Sequence, residues 1–204
     1  MDACDDDVRL MLAFREGDES AFDRLFERWA GRLLRFLERM VRDSAVAEEL
    51  VQETFLRVHR GRSSYRPDAR FSTWLYTIAT NAARNELRRP FRRSPHESAD
   101  APRGPTGEDP PLALPDASAS PEDVAHARRL GDDVDEALAA LPERQRTALW
   151  LSAVEGLSYA EVARALDTTD KGVKALVHRA RAALAERFGE EPAAAAPRAR
   201  GERR

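Results

Sequence analysis

At 204 residues the chain has room for one ordinary domain or two small ones, and its 42% hydrophobic and 34% charged residues suit small helical cores under charged faces. No apolar run approaches the roughly 18 residues of a membrane span, and the acidic start MDACDDD lacks the basic-then-apolar layout of a signal peptide. No membrane insertion and a cytoplasmic location are therefore expected. Cys4 is the one cysteine and His59, His96, His126 and His178 lie far apart, which excludes an internal disulfide and gives no reason to expect a metal or cofactor.

The formal charge of −3 hides regions of opposite sign. Residues 1–20 carry about −5, residues 21–93 about +7, residues 94–128 about −5, and the remainder about zero. A basic block beside an acidic, proline-containing one is the distribution expected when one part meets phosphates and another avoids or mimics them.

In chain order, residues 8–93 read as helices. Leu10, Phe14, Ala21, Phe22, Leu25, Phe26, Trp29, Leu33, Leu34 and Leu37 recur at three- and four-residue steps and predict one buried face. Over residues 45–58, Val46, Leu50, Val51, Thr54, Phe55 and Val58 form a stripe, with Glu48, Glu49, Gln52, Glu53 and Arg57 largely elsewhere. Over residues 71–87 the stripe is Phe71, Trp74, Leu75, Ile78, Ala79, Ala82 and Leu87. Such helices make a small bundle. The following SPHESADAPRGPTGEDPPLALPDASASPED has few large apolar residues to bury and reads as a flexible acidic linker.

Beyond it, residues 125–140 read as a helix, and Pro142 suits the first turn of the next one. Helices are expected over 143–154, 159–166 and 170–188, and the tail EEPAAAAPRARGERR has no apolar period and should be disordered. Ser158 and Glu161 have the spacing of a capping box, starting a short helix that can bury Ala160, Val162, Ala163 and Leu166. Asp167 to Thr169 supplies a turn and Thr169 a cap. The next helix then turns Val173, Leu176, Val177, Ala180 and Leu184 inward. This is the layout of a helix-turn-helix, whose second helix enters the major groove. An ordinary helical hairpin with a solvated basic face gives the same pattern, so the spacing alone leaves both readings open.

Four segments in order, AFDRLFERWAGRLLRFL, EELVQETFLRVHRG, FSTWLYTIATNAARNELRR and LPERQRTALWLSAVEGLSYAEVARALDTTDKGVKALVHRARAAL, closely resemble successive parts of extracytoplasmic-function sigma factors of the sigma-70 family. The resemblance implies an all-α fold of two small domains. These are a region-two bundle over residues 1–93 and a region-four helix-turn-helix over residues 129–188, joined by the linker 94–128 and followed by a disordered tail, 189–204.

It also implies promoter-specific transcription initiation with core RNA polymerase and promoter DNA as partners, the beta-prime clamp helices and beta flap as docking sites, and an anti-sigma factor as regulator. EELVQETF resembles the clamp-binding helix, which implicates Glu49, Leu50, Gln52, Glu53 and Phe55, although Leu50 and Phe55 also fit a core role. The segment from Ser63 looks like the promoter-melting region, with Tyr65 in the loop that caps an extruded minus-ten base. Asn81 and Asn85 would meet bases or backbone there, and Arg84, Arg88 and Arg89 would hold phosphates. Phe71 and Trp74 sit on the apolar stripe and are expected in the core.

In region four the resemblance assigns minus-thirty-five contacts to Lys171, Lys174, Ala175, His178, Arg179 and Arg181. Here the sequence departs from the family pattern. Asp167 stands where a turn glycine is common, and Lys171-Gly172 and Ala175-Leu176 replace frequent pairs, which points to an unusual promoter preference. The linker would enter the polymerase cleft, an inert tether being equally compatible with its composition.

An activator that shares only the helix-turn-helix is the competing reading, against which the N-terminal block counts. No nucleophile motif, phosphate-cradling glycine loop or metal constellation supports an enzyme.

Overall fold

The computed structural model describes residues 3–89, 131 and 133–189, and every one of its regular elements there is helical. The first block holds α1 (Ala3–Arg15), α2 (Glu19–Val41), α3 (Ser44–Arg60), a 3-10 turn (Arg62–Ser64) and α4 (Phe71–Leu87). The second holds α5 (133–140), α6 (Glu143–Ala153), α7 (Tyr159–Ala165) and α8 (Asp170–Phe188). The expected linker, the start of the helix predicted from residue 125 and the C-terminal tail lie outside the described residues.

Local chemistry fixes the breaks. Asp18 accepts from the Ser20 amide at 3.0 Å to cap α2, and Asp43 accepts from the Val46 amide at 3.0 Å to cap α3. Between them Arg42 turns left-handed at φ 60, its amide donating to the Glu38 carbonyl at 2.8 Å, so α2 and α3 fold back as a hairpin. α3 ends at Gly61, where a Cβ would stand 3.0 Å from the Arg57 carbonyl oxygen and 3.4 Å from the Trp74 ring. That close approach fits α4 against the end of α3.

Leu10, Met11 and Phe14 from α1 meet Leu25, Leu33, Phe36 and Leu37 of α2, with Val51, Phe55 and Val58 of α3 and Phe71 and Leu75 of α4 closing the bundle. The predicted stripes are borne out except at their edges. Phe26 is 42% exposed, and Ala160 faces solvent while Ala165 is buried in its place. Both errors come from a wide stripe: a residue one step off the stripe's axis can face either way. Pro142 sits at the cap position ahead of α6 instead of in its first turn.

Periodicity did not anticipate a second buried face on α4. Thr73, Tyr76, Thr80 and Ala83 are each buried, because α4 packs both on the first bundle, where Tyr76 meets Trp29 and Phe36 edge-on, and on α7, with Thr80 and Ala83 facing Glu143 and Thr147 of α6. The cores of the two blocks are therefore continuous. Arg146 of α6 is buried in the seam and donates to the carbonyls of Ala139 and Met40, each at 3.1 Å. Burial first, and then the nearby Arg42, lower its pKa from the usual guanidinium value.

Candidate nucleic-acid interface

The helix-turn-helix is built by short-range hydrogen bonds. Ser158 Oγ accepts from the Glu161 amide at 3.3 Å while Glu161 Oε2 accepts from the Ser158 amide at 2.8 Å, so the capping box is complete. Asp167 takes the left-handed conformation at φ 49, the geometry a turn glycine would supply at lower cost. Thr169 Oγ1 then accepts from the Gly172 amide at 3.1 Å and starts α8. Gly172 has a local reason: a Cβ there would stand 2.7 Å from Thr168 Oγ1, so any side chain would have to turn Thr168 aside.

On α8, Val173, Val177 and Ala180 are buried and Leu176 and Leu184 half-buried, as expected. Lys171, Lys174, Ala175, His178, Arg179 and Arg181 are all exposed. Lys171, Lys174, Ala175 and His178 follow the i, i+3, i+4, i+7 rule and make one stripe. Arg179 Nε donates to the Ala175 carbonyl of its own helix at 3.3 Å. A helix offering cationic and imidazole side chains along one stripe can enter a major groove and donate to guanine edges or phosphates.

α4 carries a second stripe. Asn81, Asn85 and Arg88 are exposed, and Arg84, at the intervening step, is half-buried, with Nε 3.6 Å from Glu143 Oε1. Arg89 is exposed and pairs with Glu86 at 3.2 Å. Asparagine offers donor and acceptor together, so it can pair with a base edge.

Tyr65, expected in the loop that caps an extruded base, is buried in the free chain. Its ring is only 3% exposed, held 5.1 Å from Trp74 and 6.5 Å from Phe71 between centroids. An aromatic flanked by two others buries more area in that cluster than in a solvated loop. Trp74, expected in the core, is half-buried, and with Arg66, Asp68, Ala69, Thr73, Thr77 and Arg164 it lines an open cleft of about 210 Å³. Phe71 is fully buried, as expected.

On α3 the expected docking residues divide. Glu49, Gln52 and Glu53 are exposed, but Leu50 and Phe55 are 4% and 3% exposed and belong to the bundle core, the Phe55 ring tilted by 60° against that of Phe26 at 4.8 Å between centroids. Both sit on the inward stripe of α3, so neither is available to a partner without unpacking the bundle. The residue that completes the exposed stripe is Leu56, 54% exposed, at i+7 from Glu49, i+4 from Gln52 and i+3 from Glu53. Its signal in the sequence is an apolar residue off the buried stripe.

The family models decide between the sigma and activator readings. Sigma-70 region 2 matches residues 25–93, and Sigma-70, region 4 matches residues 131–184. The chain belongs to the extracytoplasmic-function sigma factors of the sigma-70 family.

It is 42% identical over 180 residues to the RNA polymerase sigma factor CarQ of Myxococcus xanthus, covering 88% of this chain and 96% of that one. With the extracytoplasmic-function sigma-E factor of Escherichia coli K12 it shares 34% over 178 residues, covering 87% and 92%. In fold it resembles CnrH solved with the cytosolic domain of CnrY, at TM-score 0.65 and 24% identity over 90% of this chain and 97% of that one. It also resembles the Bartonella quintana sigma factor RpoE solved with the anti-sigma factor NepR, at TM-score 0.60 and 23% identity over 82% and 96%. A sigma factor is a non-enzymatic initiation subunit that recognises promoters, and the activator reading falls because a region-two match precedes the helix-turn-helix. Among the described residues no helix is long and apolar enough to cross a membrane.

Proposed function

We propose that this sigma factor works through three exposed stripes. Glu49, Gln52, Glu53 and Leu56 on α3 dock on the clamp helices of core RNA polymerase. Asn81, Asn85, Arg88 and Arg89 on α4, joined by Arg84 once it is free of Glu143, hold the opened minus-ten strand. Lys171, Lys174, Ala175, His178, Arg179 and Arg181 on α8 read the minus-thirty-five duplex.

The observation that carries this reading is that each stripe keeps polar or cationic side chains in solvent beside a buried apolar stripe on the same helix. The mixture on α3 of an exposed leucine, an amide and two acids suits a protein surface, while those on α4 and α8 carry cations or amides suited to DNA. Residues 1–93 then act as the polymerase and minus-ten unit, 129–188 as the minus-thirty-five unit, 94–128 as the tether that sets their reach, and 189–204 as a tail outside both. Work on promoter DNA implies a cytoplasmic location. Regulation by an anti-sigma factor belongs to the same reading, the Bartonella relative having been solved with one.

Permanganate reactivity of unpaired thymines in the polymerase–promoter complex tests the minus-ten assignment. The Asn81→Ala, Asn85→Ala variant should bind core polymerase normally and lose at least about tenfold in opened promoter, the discrimination expected of one lost bidentate base contact or more. Wild-type opening in that variant would remove Asn81 and Asn85 from the site.

A further inference from the structure

On α8, Ala175 stands at the centre of the exposed face. Its neighbours three and four residues away on the helix surface are Lys171, Gly172, His178 and Arg179. Ala175 and the three polar neighbours are exposed, while Leu176, the next residue, is half-buried against the core. The middle of the face is therefore one methyl group within a ring of nitrogen donors, with a bare position on one side.

That bare position is fixed locally. A Cβ on Gly172 would stand 2.7 Å from Thr168 Oγ1 and 3.4 Å from Thr169 Oγ1, and Thr169 Oγ1 is already engaged in capping α8. Helical Cα–Cβ bonds tilt toward the N-terminus, so the Ala175 methyl leans over the turn that Gly172 leaves bare. On the other side Arg179 Nε donates to the Ala175 carbonyl at 3.3 Å, which holds Arg179 along its own helix. A long side chain at 172 or 175 would keep the helix off the floor of a groove; a methyl beside a glycine lets it come close.

A methyl group has neither donor nor acceptor to offer a base edge. In the major groove thymine alone among the standard bases presents an apolar group, its 5-methyl, and its 4-carbonyl oxygen is an acceptor. Lysine and arginine only donate. Thymine thus fits this face twice, methyl on Ala175 and carbonyl toward a cation of the ring. Cytosine would turn an amine toward those donors, and guanine would satisfy them but leave Ala175 against polar atoms.

We infer that Ala175 is a specificity-determining residue that selects one T·A pair of the minus-thirty-five element by packing on the thymine 5-methyl group. The inference rests on the sigma reading and deepens it by naming the base and the group that are read.

The test uses holoenzyme assembled from core polymerase and the full chain. Promoter fragments randomised over the minus-thirty-five segment are selected by run-off transcription. Each thymine of the selected segment is then replaced in turn by uracil, which lacks only the 5-methyl group. At one thymine the replacement should weaken promoter binding about fourfold, the worth of one buried methyl. Changing that pair to C·G should weaken binding at least about tenfold, and 5-methylcytosine in the same place should recover about fourfold of the loss.

In Ala175→Gly the thymine-to-uracil ratio at that pair should fall to about one, because the protein's half of the contact is gone. A merely structural role for Ala175 would weaken both duplexes alike and leave the ratio unchanged. Each ratio is taken within one protein, so the helix destabilisation that glycine brings cancels. Should that variant fold poorly, Ala175→Ser, which sets a hydroxyl against the methyl, must lower the ratio as well.

Equal binding of thymine and uracil at every position by the wild type overturns the inference without any variant, and so does a fourfold ratio that persists in Ala175→Gly. Discrete start sites with a minus-thirty-five element blind to the methyl remove Ala175 and leave the sigma reading standing. No start site on any fragment sinks the sigma reading and this inference with it.

Discussion

Glu161 concentrates several contacts in one carboxylate. Burial alone would raise its pKa, but the Ser158 hydroxyl and amide, Arg70 and Thr73 together outweigh that and hold it below the usual carboxylate range. A depressed folded pKa contributes stability that is fully present above the unfolded value of about 4.3 and is lost as pH falls through the folded one. Glu161→Ala should therefore cost about 1 kcal/mol at neutral pH, and its deficit in thermal melting should shrink as the pH drops below the carboxylate range. A deficit independent of pH would mean that the carboxylate's charge plays no part. The Tyr76 phenol goes the other way, pushed well above its usual range by burial first and by Glu155 second. At this scale the sequence was half legible. The capping box, the Thr169 cap and the strained Asp167 turn depend on neighbours a few residues away and could be read directly. Tyr65 could not, because what buries it, Phe71 and Trp74, comes from the following helix.

Among the elements, α3 separates folding from binding most cleanly. Its inward stripe carries Leu50 and Phe55, its outward stripe Glu49, Gln52, Glu53 and Leu56, and substitutions on the two should fail in different assays. Phe55→Ala should cost about 3–5 kcal/mol in chemical denaturation, as a buried aromatic replaced by a cavity does. Leu56→Arg should leave stability within about 0.5 kcal/mol and weaken binding to core polymerase by at least about tenfold in a competition assay. If Leu56→Arg bound core polymerase like the wild type, the docking stripe would have to lie elsewhere. Apolar periodicity told the helix where to bury itself but not where the stripe ends. That is why Leu50 and Phe55 were open to both readings and Phe26, at the stripe's margin, was placed on the wrong side. Helix α4 shows the same limit more sharply, since Thr73, Tyr76, Thr80 and Ala83 are too polar or too small to announce a second buried face.

At the scale of the whole molecule, two domains legible as separate blocks turn out to share a seam that neither block's pattern encodes. Across it Arg84, expected as a DNA contact, meets Glu143, and Arg70 meets Glu161, expected only as the acid of a capping box. Arg146 is the buried member of that seam. Arg146→Ala should cost about 2 kcal/mol, since it strands the Met40 and Ala139 carbonyls and removes the packed stem, and the loss should appear in the melting of both blocks together. Separate transitions, with only the second block shifted, would show that the seam is not coupled to folding.

The central claim is that this chain turns core polymerase into a promoter-specific enzyme, and run-off transcription tests it most directly. Purified core polymerase with the full chain, on a mixed library of promoter fragments, should give discrete start sites that are absent without it. DNA binding with no start site on any fragment, under conditions where the core enzyme elongates normally, would contradict the account.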